Sequence, residues 1–193
     1  MTAPAFDSAF ATQAAFRAVM EAFAHPGEVR ILRSIAAPAP LAPAAAALVR
    51  SLADYETPIW LDRPLTNVPA IAEWIRFHTG APVVTEPRDA AFAIIGNPHD
   101  MPDFTQFALG SEEYPDRSTT IIVQIERFGG RALAMDGPGI NGGRSLAAEP
   151  LPDDFADRLR ANRELFPRGI DLVLVADDHV AALPRSIRVL SGS

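Results

Sequence analysis

The chain has 193 residues, 48% hydrophobic and 21% charged, which suits one globular domain spanning 1–193 with a core that needs no disulfide or metal. A formal net charge of −7 with scattered arginines argues against nucleic acid as a partner, because such proteins carry a basic domain or stripe. Cysteine is absent and all 17 basic residues are arginine, which closes thiol and iron–sulfur chemistry, the Schiff-base lysine of pyridoxal-phosphate enzymes and the P-loop lysine to this chain acting alone.

In chain order, Ser8 to Phe23 reads as a helix, with Phe16, Val19, Met20 and Phe23 on one apolar face and Pro26-Gly27 stopping it. Val29 to Leu32 is a short strand, Pro38, Pro40 and Pro43 make an extended stretch, and Ala44 to Ala53 is helical. Thr57 to Leu61 is a compact strand. Asp54, just before it, braces the helix–strand turn through its own backbone. Asn67 is read as the N-cap of a helix through Trp74 to His78, with Pro69 in its first turn and Gly80 past its end. Ala91 to Ile95 is a buried strand, Asn97 to Asp103 a loop, and Phe104 to Leu109 a short helix. Ser118 to Ile125 is the clearest strand, and Gly129-Gly130 reads as a hairpin turn into Arg131 to Met135. Asp153 to Leu165 is an amphipathic helix with Phe155 and Leu159 inward. Ile170 to Val175, Val180 to Leu183 and Ile187 to Leu190 are closing strands. The alternation predicts an α/β layered sandwich with a central mixed sheet flanked by helices.

No apolar run approaches the roughly 20 residues that span a bilayer. The start, MTAPAFDSAF, lacks the positive end and apolar stretch of a leader, so a cytoplasmic protein without membrane contact is expected. The four histidines show no metal-ligand spacing and no HExxH pattern, so no metal is expected. A GxSxG elbow is also absent.

Six residues are candidates for holding an anion. Arg76 and His78 close a helix, where they either meet an anion or simply favour the helix dipole. Gly137 and Gly139, in Asp136-Gly137-Pro138-Gly139-Ile140 after a strand, either bring backbone N–H groups to a phosphate or form a tight turn. Arg168 and Arg185 offer guanidinium forks to a phosphate or carboxylate, although an Arg168–Asp171 ion pair is the structural alternative. No residue is assigned a catalytic role.

Taken together, the ordered motifs resemble a known family. They are Phe16-Arg17…Met20…Pro26-Gly27, Leu52-Ala53-Asp54…Thr57-Pro58-Ile59-Trp60-Leu61, Arg76-Phe77-His78-Thr79-Gly80-Ala81-Pro82, and Gly110-Ser111-Glu112-Glu113-Tyr114-Pro115. Gly137-Pro138-Gly139-Ile140, Phe166-Pro167-Arg168-Gly169-Ile170-Asp171-Leu172 and Pro184-Arg185 complete the set. The chain resembles PhnH, the H subunits of bacterial carbon–phosphorus lyase, from about Phe16 to Arg185. The resemblance implies a fold similar to pyridoxal-phosphate transferases but without that cofactor. It implies a homodimer when isolated and partner subunits G, I, J and L. It also implies a supporting role in making ribose 1-phosphonate 5-triphosphate from ATP and an alkylphosphonate, while the J subunit cleaves the carbon–phosphorus bond. No cofactor of its own is expected, and an apolar patch should await a partner. The alternative is a stand-alone nucleotide- or phosphonate-binding transferase with an arginine-lined anion pocket.

Overall fold

The structure, a computed structural model, describes residues 5–190, with side chains from residue 12 onward. The first residues of the stretch read as lacking a leader therefore lie outside the described residues. Helix α1 (Ala5–Ala24) leads into the two-residue strand β1 (Arg30–Ile31). Helix α2 (Pro43–Leu52) begins on Pro43, whose missing N–H is no loss in a first turn. Then come β2 (Ile59–Leu61), the one-turn helix α3 (Arg63–Thr66), α4 (Pro69–Thr79), β3 (Val83–Val84), β4 (Phe92–Ile95) and β5 (Thr120–Gln124). The chain continues through β6 (Arg127–Asp136), β7 (Arg144–Glu149), α5 (Phe155–Glu164), β8 (Asp171–Ala176), β9 (His179–Leu183) and β10 (Arg188–Val189).

Seven strands form one mixed sheet in the order β1-β9-β8-β5-β4-β2-β3. The run β3-β2-β4-β5-β8 is parallel, and β9 returns antiparallel through the turn at Asp177 and Asp178. Asp177 sits at φ 48°, a left-handed conformation that aspartate tolerates better than bulkier residues. β1 then closes the far edge against β9. Alternating side chains divide the core into two layers. Ile94, Ile122, Val173 and Val175 join α1, α2 and α4 on one face. Ile95, Ile121, Val123, Leu172 and Leu174 join α5 and a second, three-stranded antiparallel sheet, β10-β6-β7, on the other. Burial on both faces explains why β4, β5 and β8 read as continuous apolar runs.

The structure departs from the sequence reading in four places. Gly129-Gly130 is no hairpin turn: both glycines lie inside β6, where the register with β7 shifts between Arg127 and Ala132 and Gly130 takes φ 86°. A glycine pair in a strand favours such a bulge as readily as a turn. The reversal comes later, at 137–143, and the strand it enters, β7, was not anticipated. Asn67 does not cap α4. It ends α3, which Asp62 caps by accepting from the Leu65 N–H, and Val68 precedes Pro69 instead. On α1, the buried stripe is Ala15, Ala18, Val19 and Ala22, while Phe16 and Met20 are half exposed. Small side chains let the helix approach the sheet, so the large ones face outward. Gly80 does end α4, left-handed at φ 76° with its N–H on the Arg76 carbonyl. Among the described residues, no helix is long and apolar enough to cross a membrane.

Candidate functional site

Open parallel sheets usually take ligands beyond the carboxyl ends of their strands, where the strand order reverses. Here that point lies between β2 and β4, and the chain's own groups occupy it. Asp62 follows β2 and is buried at 4% exposure. Its carboxylate accepts the backbone N–H groups of Gly96 (2.7 Å) and Asn97 (2.9 Å), which follow β4, and of Leu65 at 3.4 Å. A Cβ on Gly96 would stand 3.0 Å from Leu65 Cγ and 3.2 Å from Asp62 Oδ1, so the contact is tight for anything but glycine. At the end of β5, Gln124 pins the proline stretch over the sheet, accepting from Ala42 N–H (2.7 Å) and donating to the Pro40 carbonyl (3.1 Å).

Burial pushes the Asp62 carboxyl above its usual range, more than the three backbone donors pull it down. The folded state then holds a proton that the unfolded state releases, so raising the pH from the ordinary aspartate value through the raised one removes stability. Asp62→Asn imitates the protonated acid. The stability of the natural protein relative to this variant should therefore fall as pH rises across that window, as read from urea midpoints. A difference that stays level or grows with pH would contradict the assignment.

Arg76 and His78 lie on the last turn of α4 and are both exposed. The His78 ring packs against Trp74 (4.4 Å between centroids) and edge-on to Phe77 (5.0 Å). Partial burial lowers its pKa, and the charge of Arg50 lowers it further. His78 thus belongs to an aromatic patch in which Phe77 is 85% exposed, with Tyr55, 73% exposed, beside Gly80.

Arg185 is consumed internally. Its guanidinium donates to both oxygens of Asp171, to the Ser118 hydroxyl (2.6 Å) and to the Pro115 carbonyl (2.7 Å), and its backbone N–H also reaches Asp171 (2.8 Å). Asp171, read as a partner for Arg168, pairs with Arg185 instead. Arg168 sits in the connection between α5 and β8 and is partly buried. Asp54 behaves as read, accepting from Glu56 N–H (2.9 Å) and the Thr57 hydroxyl (2.7 Å).

Gly137 and Gly139 belong to the 137–143 reversal. A Cβ on Gly139, at φ 81°, would lie 2.3 Å from the Ala24 carbonyl oxygen, so this glycine seats the loop on the end of α1. Gly137 packs against the backbone of Ser186 and Ile187. Beside this loop is a polar, open cavity of about 450 Å³, lined by Asp136, Gly137, Gly142, Gly143, Arg163, Ser186 and Arg188 among others. Of the six candidate residues only Gly137 lines it. Arg163, Ser186 and Arg188 escaped the sequence reading because α5, the β9–β10 turn and β10 meet only through the second sheet. The run Asn141-Gly142-Gly143 was the available signal for a bare backbone.

The family model described as bacterial phosphonate metabolism protein (PhnH) matches residues 4–190. Alpha-D-ribose 1-methylphosphonate 5-triphosphate synthase subunit PhnH of Rhizobium meliloti is 45% identical over 185 residues, covering 95% of this chain and 92% of that protein. Putative C-P lyase subunit protein HtxG of Stutzerimonas stutzeri is 37% identical over 83 residues, 42% of each chain.

Proposed function

The chain belongs to the PhnH family of bacterial phosphonate metabolism proteins, and from that premise we propose that it is a subunit of the carbon–phosphorus lyase machinery. In this reading it supports formation of ribose 1-phosphonate 5-triphosphate from ATP and an alkylphosphonate, and it is not a self-sufficient catalyst. The observation that carries the reading is the nearly end-to-end match to a synthase subunit, 95% of one chain against 92% of the other.

Two features of the fold support an accessory role. The carboxyl ends of β2, β4 and β5 are occupied by Asp62 and by the stretch that Gln124 holds, in the region where a nucleotide would ordinarily enter such a sheet. The surface also carries large exposed hydrophobics, with Phe77 and Tyr55 beyond α4, Ile31, at 73% exposure, on the edge strand, and Phe16 and Met20 on α1. Apolar groups displayed together are a normal mark of surfaces that meet another protein. The reading further comprises one domain over 1–193, a cytoplasmic setting, a homodimer when isolated, and partners G, I, J and L. It also comprises a fold like that of pyridoxal-phosphate transferases, supported by the seven-stranded mixed sheet.

Co-expression with the G, I, J and L subunits tests the proposal. The chain should co-elute with them in gel filtration as one assembly, and Phe77→Asp or Ile31→Asp should weaken that association while the isolated chain keeps its fold. A chain that elutes alone with every partner present would sink the reading.

A further inference from the structure

We propose that the cavity beside the 137–143 loop binds a small tetrahedral oxyanion of the phosphoryl type, with Arg163 as its principal donor. Arg163 closes the last turn of α5, and its guanidinium carbon lies 4.7 Å from the centre of the Phe166 ring. Its Nε is buried with no hydrogen-bond partner. A guanidinium is a strong, permanently charged donor. Among the described residues no carboxylate pairs with this one, so the part of it that lines the cavity is available to a ligand.

The rest of the lining suits the same ligand. Two arginines face one carboxylate, Asp136, and that carboxylate is already engaged. Arg188 donates to Asp136 Oδ1 at 2.7 Å and to Oδ2 at 3.2 Å. The pair is close to neutral, so the excess charge of the lining is the positive charge of Arg163. Ser186 also lines the cavity. Gly142 and Gly143 stand at φ 81° and 127°, and a Cβ built on Gly142 would have nothing within 4 Å. A bare glycine backbone lets a phosphate oxygen approach main-chain N–H groups that a side chain would shield. The set differs from the arginines that sequence reading favoured. Arg185 is saturated by Asp171, Ser118 and Pro115, whereas Arg163 has donors to spare. The proposal does not rest on the subunit reading, because the isolated chain tests it.

The probe is inorganic phosphate added to the full-length chain, with binding followed by calorimetry and by amide NMR shifts. Methylphosphonate and ATP, in separate titrations, distinguish a free oxyanion from the end of a larger ester. Saturable binding should move the Gly142 and Gly143 amides. Arg163→Met, which keeps an apolar contact with Phe166, should weaken it by about tenfold or more, as expected when one charge-assisted donor is lost. Ser186→Ala should weaken it less, and Arg160→Met, on the exposed side of the same helix, should leave it unchanged. The proposal is overturned if millimolar phosphate, methylphosphonate and ATP all fail to saturate the chain. It is equally overturned if Arg163→Met binds as the natural protein does, or if the shifts centre elsewhere. Should Arg163→Met fail to fold, the location of the amide shifts together with Ser186→Ala decides.

Discussion

Asn162→Ala should lower the free energy of unfolding by about 2–4 kcal/mol, because it leaves two buried backbone groups unpaired at roughly 1–3 kcal/mol each. Asn162 is 4% exposed, on the inner face of α5. Its amide donates to the Ile170 carbonyl and its oxygen accepts from the Ile170 N–H, both at 2.9 Å. The side chain thus imitates a strand partner for the residue just before β8. Gly169 permits the approach, since a Cβ there would stand 2.6 Å from Asn162 Oδ1. For a chain of this length, near 2–4 °C per kcal/mol, the melting temperature should drop by roughly 4–16 °C. Asn162→Asp separates hydrogen bonding from packing. It keeps the shape and the acceptor but turns the donor into a second acceptor facing the Ile170 carbonyl, so it should be at least as damaging as the alanine. Urea unfolding of both variants is the check. An aspartate variant as stable as the natural protein would mean that the Ile170 contacts contribute little.

How far such features could be read in advance depends on whether they are local. The parallel core was legible because burial on both faces leaves β4, β5 and β8 as uninterrupted apolar runs between turn signals. The end of α4 at Gly80 and the Asp54 brace were legible because each is completed within a few residues. The second sheet was not. β6 contains a glycine pair that mimics a turn, and β7 (Arg144–Glu149) includes two alanines and glutamate, types depleted in strands. Its pairing with β6 decides its state, and pairing is a tertiary fact.

The candidate site divides in the same way. In the segment Phe166-Pro167-Arg168-Gly169-Ile170-Asp171, two residues have partners that the sequence did not suggest. Gly169 admits Asn162 and Asp171 holds Arg185, and neither partner is a sequence neighbour of the residue it serves. Asp62 and Gly96 are 34 positions apart and meet only because β2 and β4 are adjacent in the sheet. Arg163 looked like one more basic residue on an amphipathic helix. Only the placement of the 137–143 loop makes it part of a cavity wall.

Arg185→Ala should cost about 3 kcal/mol, in the range found when one member of a buried ion pair is removed and the other is left uncompensated. The side chains of Arg185 and Asp171 are only 14% and 19% exposed. The guanidinium also holds the segment ahead of β5 through Ser118 and Pro115, so its loss unties the starts of β5 and β8 together. Arg185→Lys keeps the charge but not the planar fork, and one ammonium cannot meet both Asp171 oxygens, Ser118 Oγ and the Pro115 carbonyl at once. It should recover less than half of the loss. Removing both charges, as Asp171→Ala with Arg185→Ala, should cost less than the sum of the single changes, because no buried charge is then left alone. Urea unfolding of the four proteins measures that coupling. Phosphate titration of Arg185→Lys supplies the functional counterpart, since an arginine used wholly for bracing can change stability without changing oxyanion affinity. Additive single losses, or a Lys variant that folds normally yet loses phosphate binding, would return Arg185 from the scaffold to the binding surface.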